Sequence, residues 1–144
     1  MKKLVYFLVF CFIAFISFQV LIKNIKKPEF YVAGYVTVKE DMAQLASSYS
    51  HLFFAIYADE KDQMPYGASR QSINHDFAKG SFHFILDKNN FFVMQKGREF
   101  PKKFKLKVSL SKSDKISPNS AENFSDIKKN VKLGETKANF SLLP

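Results

Sequence analysis

Phe104-Lys105-Leu106-Lys107-Val108-Ser109-Leu110 alternates an apolar residue with a polar one through seven consecutive positions. Successive side chains of a strand point to opposite faces, so a period of two predicts one dry face and one wet face. Thr136, Ala138, Phe140 and Leu142 repeat the pattern, alternating with Lys137, Asn139 and Ser141. Further back, Ser81 to Leu86 sets Phe82, Phe84 and Leu86 against Ser81, His83 and Ile85. Three half-buried strands of this kind require a second apolar layer to cover them.

The remaining segments supply that layer. Tyr31 to Val38 is rich in β-branched and aromatic residues and reads as the first strand, with Gly34 marking a bulge or a close backbone approach. His51 to Ala58 contains Leu52-Phe53-Phe54-Ala55-Ile56-Tyr57, apolar at successive positions, which predicts a central strand covered on both faces. Lys39 to Ser50 reads as a short helix or a turn-rich crossover with Met42, Ala43, Leu45 and Ala46 on its apolar side. Asp59-Glu60-Lys61-Asp62 and Asp87-Lys88-Asn89-Asn90 are polar turns, the second leading into Phe91-Phe92-Val93-Met94. Pro65 has no N–H for a ladder and belongs at a strand edge or entry. Ser111 to Lys132 is polar and weakly patterned, and is expected to be a long loop with at most one extra short strand. Seven or eight short strands and little helix predict a mainly β fold, an antiparallel β-sandwich.

The domain is preceded by a segment of another kind. Leu4 to Ile22 is LVYFLVFCFIAFISFQVLI, nineteen residues without a charge. As a helix it would span about 28 Å, matching the hydrocarbon thickness of a bilayer. A cleavable signal has a shorter apolar core and a small-x-small exit, whereas the exit here is Ser17-Phe18-Gln19-Val20-Leu21-Ile22-Lys23. The expectation is one N-terminal transmembrane helix: residues 1–27 as anchor and tether, residues 28–144 as the sandwich domain. Lysines flank the run on both sides, so the positive-inside count does not orient it.

Composition narrows the function. The formal net charge is +9, and removing Lys2, Lys3, Lys23, Lys26 and Lys27, which flank the apolar run, leaves the domain at +4. Arg70 and Arg98 are its only arginines, and nucleic-acid readers favour the planar guanidinium fork, so this balance argues against nucleic acid. The single cysteine, Cys11, lies in the apolar run and can staple nothing in the domain. His75-Asp76 is the one adjacent acid/base pair, without a nucleophile elbow, so a non-enzymatic chain is expected. His51, His75 and His83 with Met42, Met64 and Met94 are the donors copper would use, but their spacing forms no ligand motif. No cofactor is expected. The run from Lys96 to Lys115 is rich in lysine and suits either a solvated strand edge or an anionic surface.

From Tyr31 to Leu142 the order of motifs resembles the small Ig-like C-terminal domain of cytochrome c-type biogenesis proteins of the CcmI/CycH type. The resemblance is carried by Gly34-Tyr35-Val36, Leu52-Phe53-Phe54-Ala55-Ile56-Tyr57, Met64-Pro65 followed by Arg70, Phe82-His83-Phe84-Ile85-Leu86-Asp87 and Lys107-Val108-Ser109-Leu110-Ser111. The family's Met-Pro-Leu-Ala is here Met64-Pro65-Tyr66-Gly67, and its tetratricopeptide repeats have no counterpart in this chain. The resemblance implies an Ig-like fold and a domain held on the periplasmic side of a bacterial inner membrane. It also implies a protein partner within a membrane assembly machinery, such as haem-lyase components or apocytochrome c. Met64, Pro65, Tyr66 and Arg70 are the partner-binding candidates, with Tyr66 either supplying contact area or packed inward at a constrained strand entry. The other reading of the same architecture is a periplasmic copper- or small-ligand-binding protein.

Overall fold

In the computed structural model, residues 11–17, 30–113 and 124–144 are described. Among the described residues eight strands form two sheets. They are β1 (Tyr31–Val38), β2 (His51–Tyr57), β3 (Gly67–Ser72), β4 (Phe82–Asp87), β5 (Phe92–Val93), β6 (Lys103–Ser111), β7 (Ser125–Lys132) and β8 (Phe140–Leu142). One sheet has the order β4-β1-β8, the other β5-β3-β2-β6-β7. The alternation that predicted strands also sets their faces: Phe104, Leu106, Val108 and Leu110 are buried, as are Phe84 and Leu86, while His83 and Ile85 face out. Phe84 of the smaller sheet meets Phe54 of the larger at 4.7 Å and Phe140 at 5.9 Å, and this aromatic contact forms the middle of the core. Each such fully buried ring stabilises the fold by roughly 2–3 kcal/mol.

β2 lies third of five strands, as its unbroken apolar run predicts. Leu52, Phe54 and Ile56 face the core, and Phe53, on the opposite face between Arg70 and Ser109, is also only 6% exposed. Gly34 is the close backbone approach. Ala33 donates to Glu135 O at 2.8 Å and accepts from Ala138 N at 3.0 Å, so the C-terminal chain lies directly against β1. The segment from Lys39 to Ser50 is a 3-10 turn (Glu40–Met42) followed by one helical turn, α1 (Ala43–Ala46). Ala43 and Ala46 are buried, whereas Leu45 is turned to solvent.

Three expectations are corrected. The stretch read as a long loop with at most one short strand carries one strand among its described residues, β7, but it is eight residues long and paired along β6. Its alternation is broken by a bulge at Lys129–Asn130, where Asn130 has φ 58°, and as an edge strand it carries few buried residues. The last strand is shorter than its pattern, beginning at Phe140, and Thr136 is exposed where Ala33 bonds both Glu135 and Ala138, so that an extra residue interrupts the pairing with β1. The sandwich is also not wholly antiparallel, since β8 runs parallel to β1. Gly134 donates to Tyr31 O at 2.7 Å, so the turn after β7 starts β8 at the end of the sandwich where β1 also starts, and the two must run the same way.

Of the expected transmembrane helix, residues 11–17 are helical and exposed, including Phe12, Ile13, Phe15 and Ile16, and the rest of Leu4–Ile22 lies outside the described residues. Among the described residues no helix is long and apolar enough to cross a membrane.

Candidate functional site

The loop carrying Met64, Pro65 and Tyr66 follows a turn in which Asp62 N donates to Asp59 O at 3.3 Å and Asp59 N donates to Asp62 Oδ2 at 3.0 Å. Pro65 then brings the chain into β3 without a missing ladder bond, and Tyr66 N donates to Ile56 O at 2.7 Å. The Tyr66 carbonyl accepts from Met94 N at 2.9 Å and Gln95 N at 3.1 Å. Gln95 closes the clamp from its side chain, donating to Met64 O at 3.1 Å. The Tyr66 ring is 4% exposed, packs edge-on against Phe100 at 5.1 Å, and donates its hydroxyl to Arg98 O at 3.1 Å. Tyr66 is thus packed inward, as one of its two sequence readings has it.

The other three candidates are distributed around it. Met64 is 65% exposed and Pro65 half-buried, both at the end of the sandwich where β1 begins. Arg70 stands in mid-strand on the outward face of the larger sheet, opposite Phe53 in the ladder. Phe92, paired with Ala68 in β5, is 67% exposed, and Met94 is exposed beside it. The surface around Met64 therefore includes Phe92, which sequence reading did not single out, and Met94, which it weighed only as a copper donor. Phe91-Phe92-Val93-Met94 offers no signal for this, because nothing in four apolar residues says which of them lacks cover.

No family model, curated protein or solved structure matches this chain.

The remaining candidates occupy separate places. Ser50 Oγ lies 2.8 Å from His51 Nδ1, His75 Nε2 lies 3.0 Å from Gly80 O, and His83 packs 5.0 Å from the Tyr35 ring. Among the described residues no three His, Cys, Asp or Glu side chains group to hold a metal ion. Asp76 caps the 3-10 turn Phe77–Lys79, accepting from Ala78 N at 3.0 Å, and also accepts from Ser47 Oγ at 3.2 Å. The His75-Asp76 pair is accordingly engaged in holding a loop.

The basic run from Lys96 is divided among local partners. Arg98 pairs with Asp62 at 3.1 Å, Lys105 Nζ stands 4.6 Å from the Tyr57 ring centre, and Lys112 Nζ 5.2 Å from that of Tyr49. Lys115, at the end of the run, lies outside the described residues. Lys103 and Lys105 line a cleft of about 190 Å³ together with Ala58, Asp59, Glu60, Phe104, Lys129 and Asn130. Lys129 pairs with Glu60 across it at 3.0 Å, and Lys105 Nζ donates to Glu60 O at 3.4 Å. The cleft lies where the bulge at Asn130 in β7 faces the turn after β2. Sequence separation hides it, since its walls come from three distant segments.

Proposed function

We propose that this chain is a single-pass protein of a bacterial inner membrane whose Ig-like domain stands in the periplasm and binds a protein partner, as an accessory of cytochrome c maturation. The observation that carries the anchored part is Leu4–Ile22, long enough for a bilayer and uncharged throughout, whose described portion is helical with its apolar side chains uncovered. The Ig-like assignment is supported by strand order. β7-β6-β2-β3 follows the G-F-C-C′ order of an immunoglobulin sheet and β1-β4 its B-E pair, with the C-terminal β8 taking the place beside β1. A role in binding is supported by an exposed Met64 on a loop whose backbone is clamped by the Tyr66 and Gln95 hydrogen bonds, because a backbone already fixed has little ordering entropy left to lose on contact.

The experiment has two arms. A photo-crosslinker at Met64 in the living cell is expected to capture a haem-lyase component or apocytochrome c, and deletion of the gene to lower c-type cytochromes. Normal cytochrome levels with no maturation component captured would overturn the assignment to that machinery. Reporter fusions at Pro144 active only in the cytoplasm would overturn the periplasmic placement.

The cleft lined by Lys103, Lys105 and Lys129, with Asp59 and Glu60 in its wall, supports a second reading, a binder of a small ligand whose anionic group would take Lys129 from Glu60. Isothermal titration with small dicarboxylates and phosphate would detect it, and Lys103→Ala with Lys129→Ala should abolish the heat.

A further inference from the structure

The strands place Phe30, the first described residue of the domain, at one end of the sandwich. Its ring lies 4.8 Å from Phe91 and 4.7 Å from Phe100. Phe91 adjoins Phe92, so the tip bearing Met64, Phe92 and Met94 is the tip at which the N-terminal segment joins the domain. Only seven residues separate Ile22 from Phe30, and fully extended they reach roughly 28 Å. If residues 4–22 cross a bilayer, this tip stays close to its surface.

The chemistry of the tip fits that neighbour. Met64 and Phe92 are 65% and 67% exposed, more than any other large apolar side chain of the domain, and Met94 lies between them along the β5 edge. Exposed Lys88, Lys96 and Lys102 stand in the same loops, beside Asp62, Asp87 and Glu99. The tether adds Lys23, Lys26 and Lys27. The opposite end sets Lys39, Lys79 and Lys112 against Glu40, Asp41 and Asp76 among its described residues. Apolar side chains with lysines in the flanking loops and in the tether suit an interface with acyl chains below and anionic headgroups above.

We propose that the Met64–Phe92–Met94 tip docks on the anionic lipid surface through which the chain is anchored, holding the sandwich against the bilayer and leaving the far end, with Leu45 and the His75–Gly80 loop, to face away. The proposal rests on the anchored reading given above. It assigns Met64 to lipid in place of the protein partner proposed above, which becomes the competing occupant, and the test separates the two.

The chain has no tryptophan, so a single Phe92→Trp variant of the full protein is a sole reporter, with Leu45→Trp as the control at the far end. Each is reconstituted in nanodiscs containing phosphatidylglycerol, with brominated lipid as quencher. The expected result is a blue-shifted emission and loss of intensity for Phe92→Trp and neither for Leu45→Trp. Lys96→Glu with Lys102→Glu should lower the ratio of docked to undocked protein, by roughly fivefold for each lysine lost. Failure of the chain to enter the discs would overturn the anchor, and the docking with it. Entry with Phe92→Trp no more quenched than Leu45→Trp would overturn docking alone and leave the patch to a protein. Equal quenching in discs of neutral lipid would overturn the role of the lysines.

Discussion

Gly34 and the Ala138 carbonyl are packed so closely that a Cβ at residue 34 would run into it. The contact is fixed by the hydrogen bond from Ala138 N to Ala33 O at 3.0 Å, which holds the C-terminal chain against β1. The obstacle is backbone, which cannot swing aside as a side chain would. Gly34→Ala should therefore destabilise the domain by about 2 kcal/mol, as forced overpacking does. Urea denaturation followed by circular dichroism measures it, and because the buried core runs from Val32 to Leu142 the transition reports the sandwich.

Tyr66 and Arg98 give a prediction that separates folding from binding. Tyr66→Phe keeps the ring on Phe100 and loses only the hydroxyl bond to Arg98 O, costing about 1 kcal/mol. Tyr66→Ala removes a buried ring and should cost about 3–5 kcal/mol. Loss of partner capture in Tyr66→Ala would thus report unfolding. Met64→Ala, at an exposed side chain, should leave the melting temperature unchanged and lower capture.

Ser69 faces the core opposite Phe54, and its buried hydroxyl has no hydrogen-bond partner among the described residues. An unmade bond of this kind costs a fold about 1–3 kcal/mol. Ser69→Ala removes the stranded group with almost no loss of volume, and should stabilise the domain by about 1 kcal/mol in thermal melts.

Asn130 adopts φ 58° at the bulge where two residues of β7 oppose Lys105. A side chain with Cβ but no local polar group is penalised there, so Asn130→Ala should cost about 1 kcal/mol and Asn130→Gly should be close to neutral. The same pair checks the cleft. If the bulge opens it, binding of a small anion survives in Asn130→Gly, which keeps the turn.

Much of the fold was legible in the chain because strands buried on one face write their geometry as a period of two. Phe104 to Leu110 and Phe82 to Leu86 have the expected buried and open faces. β7 was not legible. Ser125 to Lys132 buries only Val131 fully, so the edge strand lacks alternation, and the bulge shifts what phase remains. The candidate site was legible only in part. Pro65 announced a strand entry, but the neighbours that bury Tyr66 and leave Met64 open, Gln95, Arg98 and Phe100, lie some thirty residues away.

The sequence by itself determined a nineteen-residue uncharged apolar run, a β-rich domain after it, the inward faces of β4, β6 and β8 and the position of β2 inside its sheet. These are properties of local hydrophobic pattern, readable wherever burial follows a fixed period along the chain. Only the tertiary structure decided that β8 runs parallel to β1, that Tyr66 points in while Met64 and Phe92 point out, and that Lys103, Lys105 and Lys129 enclose one cleft. Each of these depends on which distant segment covers a given side chain, and cover is set by how the sheets pack on one another, which no short stretch of residues encodes.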